Sequence, residues 1–237
     1  MLFAGVTGSA ELYQAAGDSG AVDGITRCLA VFRKAAEECG GRVVKTMGEE
    51  IMALFPTASA AADAAARMQT AVESLVLAGG PRLGARIAFH AGPVLQQDND
   101  IFGDSVNVAA RLVEQAMKGQ ILTTAETVSL LGQGLRNATR RLYDITVKGK
   151  EEPICIYQPL CEVQEASDTL KALVEEYHRA YSHYLKQEWD AAEQLFRQLQ
   201  RLDPDTQLYG IYLQRIVELR KQQLPPNWDG TYRHTSK

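Results

Sequence analysis

The chain turns back on itself twice between residues 40 and 96, each time at a glycine, and this decides what kind of sheet it can build. Arg42 to Met47 and Glu50 to Phe55 are strand-like runs joined only by Gly48-Glu49, a connection suited to an antiparallel hairpin. Leu83 to His90 and Val94 to Gln96 follow the same plan around Gly92-Pro93. Links this short cannot supply the long crossover that parallel neighbours need. The expected fold class is therefore α+β, a mostly antiparallel sheet with helices packed on one face, rather than a doubly wound parallel sheet.

The remaining elements alternate up to about residue 160. Leu2 to Val6 reads as a strand, and Ser9 to Ala16 as a short helix capped by Ser9. Ala21 to Cys39 carries Val22, Ile25, Leu29, Phe32 and Ala36 at helical spacing and stops at Gly40-Gly41. Thr57 to Leu77 is an alanine-rich helix ended by Gly79-Gly80-Pro81. Ser105 to Met117 and Ala125 to Leu131 read as helices, with Gln120 to Thr123 as a strand between them. Arg140 to Val147 and Ile154 to Gln158 close the domain as strands.

The pattern then changes. Residues 1–161 form one expected domain, 162–167 a polar linker, 168–224 a helical segment and 225–237 a tail. The helical segment comprises Leu170 to Lys186, Asp190 to Leu202 and Leu208 to Gln222. Leu173, Tyr177, Ala180, Tyr184, Trp189, Ala192 and Phe196 share the apolar side of its first two helices. Trp189-Asp190-Ala191-Ala192-Glu193 through Leu202-Asp203-Pro204 resembles one tetratricopeptide unit. A lone repeat cannot bury its own face, so it must pack on the preceding domain or on a second copy of it. Trp228 and Tyr232 are expected to pin the tail.

Bulk properties exclude some classes of function. The chain has 237 residues and a net charge of −4, with no basic stripe for nucleic acid and no polybasic segment for anionic lipid. No apolar run approaches the ~20 residues that span a bilayer. No signal peptide is visible, since a strand-like segment begins at residue 2, and with so abrupt a start the expectation is missing upstream sequence or a misplaced start codon. Cys28, Cys39, Cys155 and Cys161 form no CxxC pair and read as reduced small hydrophobes, which fits a cytoplasmic setting. The four histidines are scattered, so no His/Cys metal cluster is expected. His90 reads as a structural residue at a strand end.

Four segments in order carry a more specific message. They are Phe3-Ala4-Gly5-Val6-Thr7-Gly8-Ser9, Lys45-Thr46-Met47-Gly48-Glu49-Glu50, the run from Asp100 to Arg111, and Val147-Lys148-Gly149-Lys150. Together they resemble the catalytic domain of class III nucleotide cyclases over residues 2 to 160. The resemblance implies a ferredoxin-like cyclase domain that dimerises head to tail with its active site at the interface. The implied reaction converts ATP to 3′,5′-cyclic AMP and pyrophosphate for cyclic-nucleotide signalling. The ribose 3′-oxygen attacks the α-phosphorus in line, helped by two Mg²⁺ or Mn²⁺ ions.

The same resemblance assigns residues. Lys45 and Asp100 match the pair that reads adenine at N1 and at the exocyclic amine. Guanine reverses donor and acceptor at both places. Asn107 and Arg111, four apart on one helix face, match the groups that orient the ribose and stabilise the α-phosphoryl group. Lys148 matches the lysine on the terminal phosphates. Thr7-Gly8-Ser9 offers backbone amides at a helix start to the triphosphate. The metal half departs from the pattern: Gly5 stands where the family has its first aspartate, and Glu49 where it has the second. Glu49 is the remaining metal ligand, while Glu50 is expected to face the other side of its strand. Glu11, in the following helix, has no geometric support as a replacement.

Three functions remain open on these residues. One is an adenylate cyclase impaired on its own. Another is a subunit that completes a homodimer or heterodimer by lending its recognition half to an aspartate-bearing cyclase domain. The last is a pseudo-cyclase acting as a nucleotide-binding or interaction module.

Overall fold

A computed structural model of the chain describes residues 1–75, 82–98, 100–145, 154–160, 167–204 and 206–230. Its elements are β1 (Leu2–Thr7), α1 (Ser9–Glu38), β2 (Arg42–Met47), β3 (Glu50–Leu54), α2 (Ala58–Glu73), β4 (Gly84–Phe89), β5 (Leu95–Gln97) and β6 (Asp100–Phe102). There follow α3 (Asp104–Gln115), β7 (Gln120–Thr124), α4 (Ala125–Ser129), α5 (Gln133–Asn137), β8 (Thr139–Ile145) and β9 (Ile154–Pro159). The helical segment contains α6 (Asp168–Leu185), α7 (Trp189–Leu202) and α8 (Gln207–Leu219). Among the described residues, seven strands form one sheet in the order β2-β3-β1-β4-β7-β9-β8. Its pairings are antiparallel except that of β4 with β7.

The sheet is covered on both faces, which corrects the expectation of helices on one. Leu2, Ala4, Ile51, Ala53, Ile87 and Ile121 pack with residues of α1 and α2. Phe3, Met52, Ala88 and Leu122 face the other way, into a core with α3 and the C-terminal helices. The sequence signal for this is the consecutive apolar residues Leu2-Phe3-Ala4, Ile51-Met52-Ala53 and Ile87-Ala88-Phe89 in β1, β3 and β4, since a half-exposed strand would alternate.

Three local expectations also change. β5 pairs with β6, not with β4, placing Leu95 opposite Phe102 and Gln97 opposite Asp100 in a separate two-stranded ribbon. Asp98, at the turn of that ribbon, has φ 54°, a left-handed value that aspartate tolerates better than most residues. The two helices expected over 9–16 and 21–39 join as α1, broken at Gly17, whose φ of 68° and ψ of 179° suit glycine alone. Gly8, not Ser9, is the N-cap of α1; its φ is 85° and no side chain caps the helix. The predicted Gly79-Gly80-Pro81 stop and the linker from 162 to 166 lie outside the described residues.

The three C-terminal helices pack on the chain's own cyclase-like domain. Tyr177 and Tyr212 donate their hydroxyls to the carbonyls of Arg141 and Leu142 on β8. Arg140, only 4% exposed, donates to Gln158 and to the Tyr209 hydroxyl. Its buried guanidinium is thus satisfied by neutral oxygens from both parts of the chain. Phe196 stacks on Tyr212 with ring centroids 4.8 Å apart. As expected, Trp228 pins the tail, packing on Tyr184 at 5.1 Å and Trp189 at 6.0 Å. Tyr232 lies outside the described residues.

Tyr212→Phe keeps the ring but removes the donor to Leu142. It should destabilise the chain by about 1–3 kcal/mol. Urea unfolding checks this, with Tyr13→Phe, on an exposed side chain, as the unaffected control.

Candidate active site

β2 and the β5–β6 ribbon bring the two predicted base-reading residues together. Lys45 Nζ lies 2.8 Å from Asp100 Oδ1 and 2.7 Å from Oδ2. Asp100 also accepts the Ile101 amide at 2.8 Å. The hydrogen bond from Lys45, then that from Ile101, holds the Asp100 carboxyl below its ordinary range. An open groove lined by Val44, Lys45, Gln97, Asp98, Asp100 and Phe102 adjoins the pair. Both side chains are partly exposed, so the pair is reachable from solvent.

α3 buries Val108, Ala109, Leu112 and Val113 against the sheet. Asn107 and Arg111 therefore fall on its exposed side, as their spacing of four predicted. Among the described residues Arg111 has a loose ion-pair partner, Glu114 at 3.8 Å. Both side chains are thus presented outward from this protomer.

At the end of β1, the Gly8 turn opens the first turn of α1. Thr7 Oγ1 is buried there without a hydrogen-bond partner among the described residues. The amides of a helix start that no side chain caps make a fitting anion site. Lys148 lies outside the described residues. His90 is structural, as expected: it is 5% exposed, and its Nδ1 lies 2.9 Å from the Thr124 hydroxyl.

The greatest departure from expectation lies at Gly5. Gly5 sits directly opposite Glu50 on β3 and Arg86 on β4. Directly opposed residues project from the same face of a sheet. A Cβ built on Gly5 would stand 3.1 Å from Glu50 Oε2 and 3.1 Å from Arg86 Nε. Glu50 therefore points at the place of the missing side chain rather than away from it. Glu49 belongs to the preceding turn, where its carbonyl accepts the Val6 amide at 3.0 Å. Arg86 Nη2 lies 3.8 Å from Glu50 Oε2, and among the described residues the buried Arg86 Nε has no hydrogen-bond partner. Burial raises the Glu50 carboxyl above its ordinary value, Arg86 opposes this, and Glu114 on α3 adds to it. Glu50 and Arg86 are the site residues the sequence reading missed. The only signal for them is the register of three strands, which no motif displays.

A family model described as the adenylate and guanylate cyclase catalytic domain matches residues 1–158, and the chain belongs to this family. Among curated relatives, it is 27% identical over 218 residues to the terminal-differentiation-specific adenylate cyclase of Dictyostelium discoideum, covering 83% of this chain and 10% of that protein. It is 34% identical over 152 residues to an adenylate cyclase of Anabaena cylindrica, covering 55% of this chain and 30% of that protein. The chain thus spans less than a third of either relative. Solved structures agree on the fold. The adenylyl cyclase CyaB from P. aeruginosa matches with a TM-score of 0.56 and 24% identity, over 70% of this chain and 95% of that one. An adenylate/guanylate cyclase/hydrolase from Silicibacter pomeroyi matches with a TM-score of 0.57 and 28% identity, over 68% and 95%.

The raised Glu50 carboxyl carries a sign for stability. A carboxyl raised on folding contributes stability that is fully present below its unfolded value and lost as pH rises through the folded one. Urea midpoints of the native chain should fall over that rise. Glu50→Gln should flatten this part of the profile. An unchanged pH profile in the variant would contradict the assignment.

Proposed function

We propose that the chain is an ATP-recognising cyclase domain whose own catalytic power is impaired by its metal half. The observation that carries this reading is the Lys45–Asp100 pair. An ammonium has three donors and a carboxylate about four acceptor sites, so each can contact a base while keeping the other. Lys45 would donate to adenine N1 while Asp100 accepts the exocyclic amine. Guanine offers a donor at N1 and an acceptor at O6, leaving both groups mispaired.

Asn107 would orient the ribose and Arg111 would stabilise the α-phosphoryl charge as the 3′-oxygen attacks and pyrophosphate leaves. Thr7, Gly8 and Ser9 would hold the triphosphate through the start of α1, with Lys148 on the terminal phosphates. The outward placement of Asn107 and Arg111 suits a site shared between two protomers, in a homodimer or with a different cyclase domain. Leu95 and Phe102, both exposed and register-paired beside Asp100, give that edge an apolar contact surface.

Enzymes of this family use divalent metal ions. The residues here do not fit a two-ion centre. Gly5 offers no ligand, Glu50 is paired with Arg86, and among the described residues no group of three or more His, Cys, Asp or Glu could hold a metal ion. Glu49 would remain as the ligand of a weakened Mg²⁺ or Mn²⁺ site. The Glu50–Arg86 pair favours a second reading, in which the chain lends its recognition half to a partner with both aspartates. A non-catalytic, nucleotide-binding module is the limit of that reading.

We assign residues 1–161 to the cyclase domain and 168–224, after the linker at 162–167, to a tetratricopeptide-like segment serving interaction, with 225–237 as the tail. Among the described residues no helix is long and apolar enough to cross a membrane. A cytoplasmic role in cyclic AMP signalling is the setting proposed.

Competition binding of ATP and GTP tests the base reading. The native chain should prefer ATP, and Asp100→Asn should cost ATP about 10-fold and narrow the preference. Because Lys45 holds the Asp100 carboxyl low, the preference should persist from pH 8 to about 5. Equal binding of both nucleotides would overturn the reading. Mass spectrometry of cyclic products with Mn²⁺ tests the rest. Weak cyclic AMP formation alone, enhanced by an aspartate-bearing cyclase domain, is expected.

A further inference from the structure

We infer that the Gly5 site supplies its own fixed cation, so that this chain binds nucleoside triphosphate without needing a divalent ion. This inference rests on the ATP-recognition reading above and says how the phosphate end is accommodated.

The argument starts from strand register. β3, β1 and β4 place Glu50, Gly5 and Arg86 in one row across the sheet. Phe3, Met52 and Ala88, each two positions along its own strand, belong to the core on the α3 side. Residues two apart share a face, so the row lies on that side as well. Glu50 and Arg86 converge on Gly5 from opposite edges and fill the volume its side chain would take. Glycine here is therefore the residue that admits an ion pair.

The electrostatics follow. A divalent ion at this place would have to take the Glu50 carboxylate from Arg86 and then sit beside a guanidinium. Gly5 provides no second carboxylate to offset that repulsion. Arg86 meanwhile brings a permanent positive charge: its side chain is 39% exposed, its contact with Glu50 is a loose 3.8 Å, and its buried Nε has no hydrogen-bond partner among the described residues. A guanidinium stays protonated at any working pH and binds phosphate oxygens well. What a metal ion supplies to a triphosphate when loaded is supplied here, in part, by the protein's own side chain. Such a fixed charge favours binding but cannot shed or exchange ligands as the reaction proceeds. Retained nucleotide affinity is thus separated from turnover.

The test uses the full chain and a fluorescent ATP analogue, titrated in EDTA and in excess Mg²⁺. The two dissociation constants should agree within about 3-fold. Gly5→Asp combined with Glu50→Ala restores one carboxylate at the row and removes its competitor. In that variant Mg²⁺ should tighten binding by about 10-fold or more. Mn²⁺ titration followed by electron paramagnetic resonance, without nucleotide, should show Mn²⁺ held about 10-fold or more tightly by the variant than by the native chain, where Glu49 alone would leave a weak site. Arg86→Gln is a second variant, which should weaken binding in EDTA by about 10-fold. Native binding that tightens 10-fold or more with Mg²⁺ would overturn this inference alone and leave adenine recognition standing. Absence of binding in both conditions would overturn both.

Discussion

β1 is hydrogen-bonded on both edges, to β3 and to β4, and apolar on both faces. That arrangement determines the rest of the molecule. Two apolar faces demand two covers, and the chain supplies α1 with α2 for one and α3 with the C-terminal helices for the other. A strand paired on both sides also brings one residue from each neighbour opposite every one of its own. The consequence at Gly5 is chemical as well as structural. Its neighbours are a carboxylate and a guanidinium, and lacking a side chain it lets them meet.

The C-terminal helices depend on the same sheet through its far edge. β8 offers main-chain carbonyls to Tyr177 and Tyr212, and the buried Arg140 bonds both to β9 and to α8. The helical segment is thus fastened to the cyclase domain by buried polar contacts set among aromatic rings.

Much of this was legible in the sequence, where the controlling interactions are local. The Gly48-Glu49 hairpin, the helical periods of α3, α6, α7 and α8, and the spacing of Asn107 and Arg111 are short-range patterns. The pairing of Lys45 with Asp100 was legible only through motif order, since 55 positions separate them. Other features were set by contacts between distant segments. The short β6 strand captured β5, which its own sequence suggested for β4. Three consecutive apolar residues in each of β1, β3 and β4 signalled double burial, although the hairpins drew attention to an open antiparallel face. Glu50 was misplaced because alternation along one strand relates it to Glu49 but says nothing about which residue it meets on the next strand.

In the proposed reading, the Lys45–Asp100 edge recognises adenine, while at the phosphate end the Glu50–Arg86 pair takes the place of a metal ion. A crystal structure with a non-hydrolysable ATP analogue and Mn²⁺, with anomalous scattering recorded at the manganese edge, views both ends at once. The account predicts adenine held by Lys45 and Asp100, the Glu50–Arg86 pair intact, and no pair of manganese peaks beside Gly5. Two manganese peaks bound by Glu49 and Glu50, with Arg86 displaced, would contradict it.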